Sequence, residues 1–121
     1  MRKPNDSPAK ERRKEPRYAA DLPVSFAVHE IHGIRDGFLG DLSRRGARVK
    51  SSIRVELGRE AAFFIHAPHD PTPIIIDMAR VRWMTPHEFG LEFVIVTRAQ
   101  EKERLNRLIL SLARSSVVEK R

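Results

Sequence analysis

Two clusters of side chains in this chain are suited to gripping a small polar ligand. The first is Arg12-Arg13-Lys14-Glu15-Pro16-Arg17, which contains an R-x-x-x-R pair at Arg13 and Arg17. The second is Asp41-Leu42-Ser43-Arg44-Arg45-Gly46, a D-x-S-x-x-G. Arginine presents planar forks of N–H donors that match phosphate oxygens and the O6/N7 edge of guanine, and lysine cannot reproduce the fork. Arginines three or four residues apart on an extended segment present several forks to one ligand. Pro16 disfavours helix at Glu15, so the segment is expected to run extended into the domain. The Asp41 carboxylate accepts N–H donors, and the Ser43 hydroxyl both donates and accepts. Gly46 permits a positive φ or a close backbone approach that a side chain would block. Arg44 and Arg45 add two further forks. Each cluster also has a plainer reading. An arginine-rich run is common in a solvated tail, and D-x-S-x-x-G is a workable turn in which Asp and Ser bond local backbone.

The elements around these clusters are legible as patterns. Residues 1–11 are polar, contain two prolines and lack periodicity, so they read as a disordered lead-in. The domain proper is expected over 12–112. From Asp21, Leu22, Val24, Phe26 and Val28 alternate with polar or small residues, as in a half-buried strand. Ile31-His32-Gly33 begins a turn. Phe38, Gly40 and Leu42 then alternate with Leu39, Asp41 and Ser43, which predicts Asp41 and Ser43 on one side of a strand end. Ala47 and Val49 continue beyond Gly46, with Arg48 and Lys50 facing away. Ala61 to His66 is a short apolar strand, and Pro68, Pro71 and Pro73 mark a loop. Ile74 to Trp83 forms a longer strand whose alternation groups Trp83 with Ala79 and Val81, in the core. Phe89, Leu91, Phe93 and Ile95 form the last strand. Thr97-Arg98-Ala99-Gln100 has the form of a capping box, and Leu105, Leu108, Ile109 and Leu112 follow at helical spacing. The expected fold is mainly β: a small six-stranded antiparallel barrel with a C-terminal α-helix from about residue 98. Residues 113–121 read as a basic tail.

Composition narrows the function. The 121 residues carry a net charge of +7. Residues 1–20 and 98–121 each contribute +4, and the middle is −1. A general polyanion binder spreads basic residues over a face. That distribution, with only eight aromatics, most of them at core positions, counts against a nucleic-acid binder. No apolar run reaches membrane-spanning length and no signal peptide is visible. With no cysteine, the chain fits a reducing cytoplasm and lacks disulfides and thiolate metal sites. His66 and His69, beside Asp70 on a proline-rich loop, read as solvated rather than as a metal pair. No nucleophile–base pair lies at close spacing, and the glycines do not form a P-loop, so no catalytic residue is assigned.

The two clusters, in this order and placed before the first strand and at the end of the second, resemble the motifs of the PilZ domain family. The resemblance spans roughly residues 11–112. Gly37-Phe38-Leu39-Gly40, Val81-x-Trp83 and Phe89-Gly90-Leu91-x-Phe93 are similar to the family's remaining strands. The resemblance implies a non-enzymatic receptor for cyclic di-GMP, with Arg12, Arg13, Arg17, Asp41, Ser43 and Gly46 as ligand residues and Arg44 and Arg45 as further contacts. Asp41 would accept from guanine N1–H and N2–H₂, an edge adenine lacks. An arginine at 12, just before the pair, implies two stacked nucleotides per domain rather than one; alternatively it only adds charge. Binding would order the N-terminal arm and signal to a protein effector that the sequence does not name. Two other readings stay open: a ligand-independent interaction module on the same fold, and a non-specific nucleic-acid-binding barrel.

Overall fold

The computed structural model describes residues 16–119, with side chains to residue 115. Arg12 and Arg13 lie outside the described residues. Six strands follow one another: β1 (Tyr18–Val28), β2 (Arg35–Leu42), β3 (Gly46–Lys50), β4 (Glu60–Ile65), β5 (Ile74–Met84) and β6 (Glu88–Ile95). A single helix, α1 (Ala99–Glu119), completes the described chain. Every neighbouring strand pair is antiparallel, and the order β1-β2-β3-β6-β5-β4 closes into a barrel. Closure leaves no long unpaired edge, which in an open sheet would invite association with other chains. The six strands and the C-terminal helix are the expected ones.

The interior is filled from all six strands. Val24, Phe26 and Val28 of β1 point inward, as do Ala47 and Val49 of β3 and Ala61, Phe63 and Ile65 of β4. Phe26 and Phe89 meet edge to face, with ring centroids 5.2 Å apart. Burying a side chain of this size contributes about 1.5–3 kcal/mol. Leu105, Leu108 and Ile109 of α1 cover the barrel, giving the stripe expected from their spacing.

Arg104 and Glu101 fasten the helix. The Glu101 carboxylate is buried and accepts the Ile75 backbone N–H at 3.2 Å. Arg104 pairs with Glu101 at 3.0 Å and Asp70 at 2.8 Å, and donates to the carbonyls of Thr72 and Pro73. The proline-rich β4–β5 loop is thereby tied to the first turns of α1. The hydrogen bond from Arg104 is the main cause that holds the Asp70 carboxyl below its usual range.

Several side chains depart from simple alternation, and β-bulges account for most of them. A bulge puts two residues opposite one and reverses which face the following residues occupy. On β2, Leu39 pairs with Val49 and Asp41 with Arg48, so Gly40 is the extra residue. Leu39 and Leu42 are therefore both fully buried, whereas Phe38 is 55% exposed. On β5, Val81 pairs with Leu91 and Trp83 with Gly90, leaving Arg82 as the extra residue. Trp83 is consequently turned out of the barrel and is not a core residue.

Beyond β3, the end of β6 also breaks pattern: Ile95 is 43% exposed. The helix starts at Ala99, and the Arg98 carbonyl accepts the first helical bonds from Glu101 and Lys102. Thr97 stands outside the helix and its backbone N–H is bonded to Asp77, so the expected capping box is not the cap. Residues 113–119, read from the sequence as tail, continue α1, because Leu112 still packs against the core and the chain beyond it meets no helix breaker.

Candidate ligand site on the outer face of the barrel

The bulge at Gly40 turns Asp41 outward. Its cross-strand neighbours are Ala19 on β1 and Arg48 on β3. Arg48 in turn lies opposite Gly90, and Gly90 opposite Trp83. One row across the outside of the barrel thus holds a carboxylate on β2, a guanidinium on β3 and, past Gly90 on β6, an indole on β5, with adjacent strands about 4.8 Å apart.

Two glycines make the row possible. A Cβ on Gly40 would lie 2.8 Å from Cζ of Arg48, so the guanidinium passes directly over the bare Gly40 backbone to reach Asp41. A Cβ on Gly90 would lie 2.1 Å from Nε1 of Trp83, so the Nε1 side of the indole lies against that bare backbone.

The Asp41 carboxylate is held between two arginines. Arg17 Nη1 donates to Oδ1 at 2.8 Å and Arg48 Nε to Oδ2 at 2.9 Å. Arg48 also reaches Glu88 at 3.4 Å. Its hydrogen bond to Asp41 is the main reason that Arg48 is held more firmly protonated than an isolated arginine. A carboxylate offers about four lone-pair sites. Among the described residues two are engaged, on a side chain still 19% exposed. Arg17 has a 46% exposed side chain and stands just ahead of β1, so the described chain begins beside Asp41.

Ser43 and Gly46 lie elsewhere in this geometry. Ser43 is only 3% exposed. Its Oγ accepts the backbone N–H groups of Arg45 and Gly46, both at 3.2 Å, while its own N–H bonds the Gly46 carbonyl. The hydroxyl locks the turn between β2 and β3. Gly46 does not adopt a positive φ. It is a close-approach glycine: a Cβ there would stand 2.3 Å from the Leu91 carbonyl oxygen. The structure therefore joins Asp41 with Arg17, and gives Ser43 and Gly46 the task of holding the turn that follows Asp41. Arg44 and Arg45 are exposed on that turn and line a groove against β6 and α1. His66 hydrogen-bonds Ser25 across 2.9 Å.

Arg48 and Trp83 were not singled out from the sequence as site residues. For Arg48 a signal existed, since it alternates outward from Ala47 and Val49 on the strand that follows the motif. For Trp83 the signal was the indole itself, which could stack on a base, but alternation with Ala79 and Val81 assigned it to the core, and the bulge that exposes it depends on the pairing with β6.

A small closed barrel with a polar row on its outer face and a helix packed against it is the frame that these residues share. The PilZ domain family model matches residues 11–111, and the chain belongs to that family of cyclic di-GMP receptors, whose domains are binding modules and generally not enzymes. The fold is shared with solved structures. The PilZ domain of CeSA from a cellulose-synthesizing bacterium superimposes with a TM-score of 0.65 at 23% identity, covering 81% of this chain and 98% of that one. The Bacillus subtilis inhibitor of motility (MotI/DgrA) gives a TM-score of 0.67 at 19% identity over 89% of this chain, which spans 53% of that protein. Among curated proteins no significant match was found.

Proposed function

We propose that this chain is a cyclic di-GMP receptor that binds the nucleotide on the outer face of the barrel, between the basic N-terminal segment and the row Asp41, Arg48, Trp83. The observation that carries the reading is the placement of Asp41. A bulge directs it outward, two guanidinium groups orient it, and it sits where the R-x-x-x-R segment meets the barrel. The carboxylate accepts from guanine N1–H and N2–H₂. Arg17, with Arg12 and Arg13, supplies forks for phosphate and for the guanine O6/N7 edge. The Trp83 indole offers a face on which a base stacks.

The ligand carries two phosphates and two guanines, so ordering the basic segment over it neutralises charge at both. This change of conformation of the arm is the signal in our reading, and it presents a new surface to a partner protein. Arg12 would extend the site to a second, stacked nucleotide.

Isothermal titration calorimetry with cyclic di-GMP, and with cyclic di-AMP and GTP as controls, tests the assignment. Binding of cyclic di-GMP alone is expected, with a stoichiometry of two if Arg12 has the role given to it. Absence of heat and of competition would leave a ligand-independent interaction domain.

A further inference from the structure

A groove of about 570 Å³ runs between the end of β6, the 43–46 turn and the start of α1. Three observations say what fits it. First, β6 outruns its neighbour. The β3–β6 ladder stops at the pair Gly46–Glu92, but β6 continues to Ile95. The last tie on that side is the Phe93 N–H to the Arg45 carbonyl at 2.7 Å. Beyond it, no strand flanks this side of β6 among the described residues.

Second, the groove is apolar at its base and lip. Leu105 is buried beneath it, while Val94 and Ile95 are 42% and 43% exposed. Third, its rims are basic. Arg44 on the turn and Lys102 on α1 are exposed, and neither is ion-paired among the described residues. The acid at the groove, Glu92, is engaged by Arg82 at 3.4 Å.

We infer that this groove docks an extended protein segment that alternates acidic and β-branched or leucine residues. Its backbone would lie beside the end of β6, its apolar side chains on Val94, Ile95 and Leu105, and its carboxylates against Arg44 and Lys102. The chain's own ends do not fit, because residues 1–20 and 98–121 each carry +4. A polyphosphate strand fits less well than a peptide, since Glu92 lies in its path and the one aromatic lining the groove, Phe93, packs against Phe63 of the core. Asp41, Arg48 and Trp83 take no part in the groove, so a failure of the proposed nucleotide site and a failure of this surface are distinguishable.

The test is a titration of the ¹⁵N-labelled full chain, without nucleotide, by a heptapeptide of alternating glutamate and valine. The same peptide with lysine for glutamate and a single-stranded oligothymidine are run beside it. Chemical-shift changes centred on 44–45, 93–96 and 102–106 are expected for the acidic peptide alone. The double variant Arg44→Glu, Lys102→Glu should bind it roughly tenfold more weakly while melting like wild type. A separate variant, Ile95→Ser, should weaken it through the apolar contact. No shifts in the groove at millimolar peptide, equal binding of the lysine peptide, or tighter binding of the oligonucleotide there would each overturn the inference.

Discussion

Replacing Asp41 by alanine separates ligand recognition from folding. The carboxylate bonds Arg17 and Arg48, whose side chains are 46% and 30% exposed. Ion pairs this open to water are worth about 0–1 kcal/mol each. Asp41→Ala therefore costs at most about 2 kcal/mol of stability. At about 4–8 °C per kcal/mol for a domain of about this size, the melting temperature falls by no more than about 16 °C and the transition stays cooperative. The effect on the nucleotide is of another kind. Guanine N1–H and N2–H₂ lose their acceptor in a partly desolvated site, which costs about 1–3 kcal/mol. That corresponds to roughly a fivefold to 150-fold rise in Kd. Arg17 and Arg48 also lose the group that orients them, which places the expected result toward the upper end. Calorimetry at a temperature well below the lowered melting point reads the affinity, and circular dichroism confirms the fold. Discrimination between cyclic di-GMP and cyclic di-AMP should shrink in the same variant. A folded Asp41→Ala protein that binds cyclic di-GMP within about twofold of wild type refutes the site.

Four more tests follow from particular residues. Ser43→Ala leaves two backbone N–H groups, one buried and one part-buried, without their acceptor, so it should lower stability by about 1–3 kcal/mol in chemical denaturation; an affinity loss with unchanged stability would instead make the hydroxyl a ligand contact. Gly46→Ala drives a Cβ into the Leu91 carbonyl and should cost at least about 1–3 kcal/mol, with a melt indistinguishable from wild type counting against the close approach. Trp83 is the single tryptophan and is 36% exposed on the outer face, so cyclic di-GMP should change its fluorescence; saturation without any change in intensity or wavelength would place the nucleotide elsewhere. Asp70 has its folded-state pKa depressed by Arg104, so its contribution to stability is full above the ordinary value of 3.8 and is lost as pH falls through the lower folded value. Asp70→Asn should thus melt below wild type at neutral pH and converge with it in acid; a constant gap across that range would mean the charge is not the cause.

The architecture was readable because most of the strands advertise themselves. Val24, Phe26 and Val28, then Ala47 and Val49, alternate without interruption, and the stripe from Leu105 to Ile109 changes the period from two to helical. The errors gather where strand pairing, not strand composition, decides the face. Phe38 and Trp83 were assigned by parity, and parity reverses at Gly40 and Arg82 because each is an extra residue set by the neighbouring strand. The same reversal hid the outer row, since Arg48 matters only once Asp41 is known to face outward beside it. Within the motif, residue types indicated that Ser43 and Gly46 belong together with Asp41. They did not indicate that Asp41 points out of the barrel between two arginines whereas Ser43 and Gly46 shape the turn, because a hydroxyl and a missing side chain suit either task.

The strand order carries a consequence for synthesis. β6 is the last strand to leave the ribosome, yet it lies between β3 and β5 in the sheet. Until residues 88–95 emerge, the nascent chain has two open edges where β6 will insert, and neither can be satisfied by its sequence neighbours alone. Barrel closure must then await contacts between residues far apart in sequence, such as Gly46 with Glu92, which favours slow, late completion over stepwise growth. Truncations ahead of Ile95 should therefore yield aggregation-prone chains rather than smaller domains, and any fusion partner is better attached after α1 than inserted before it.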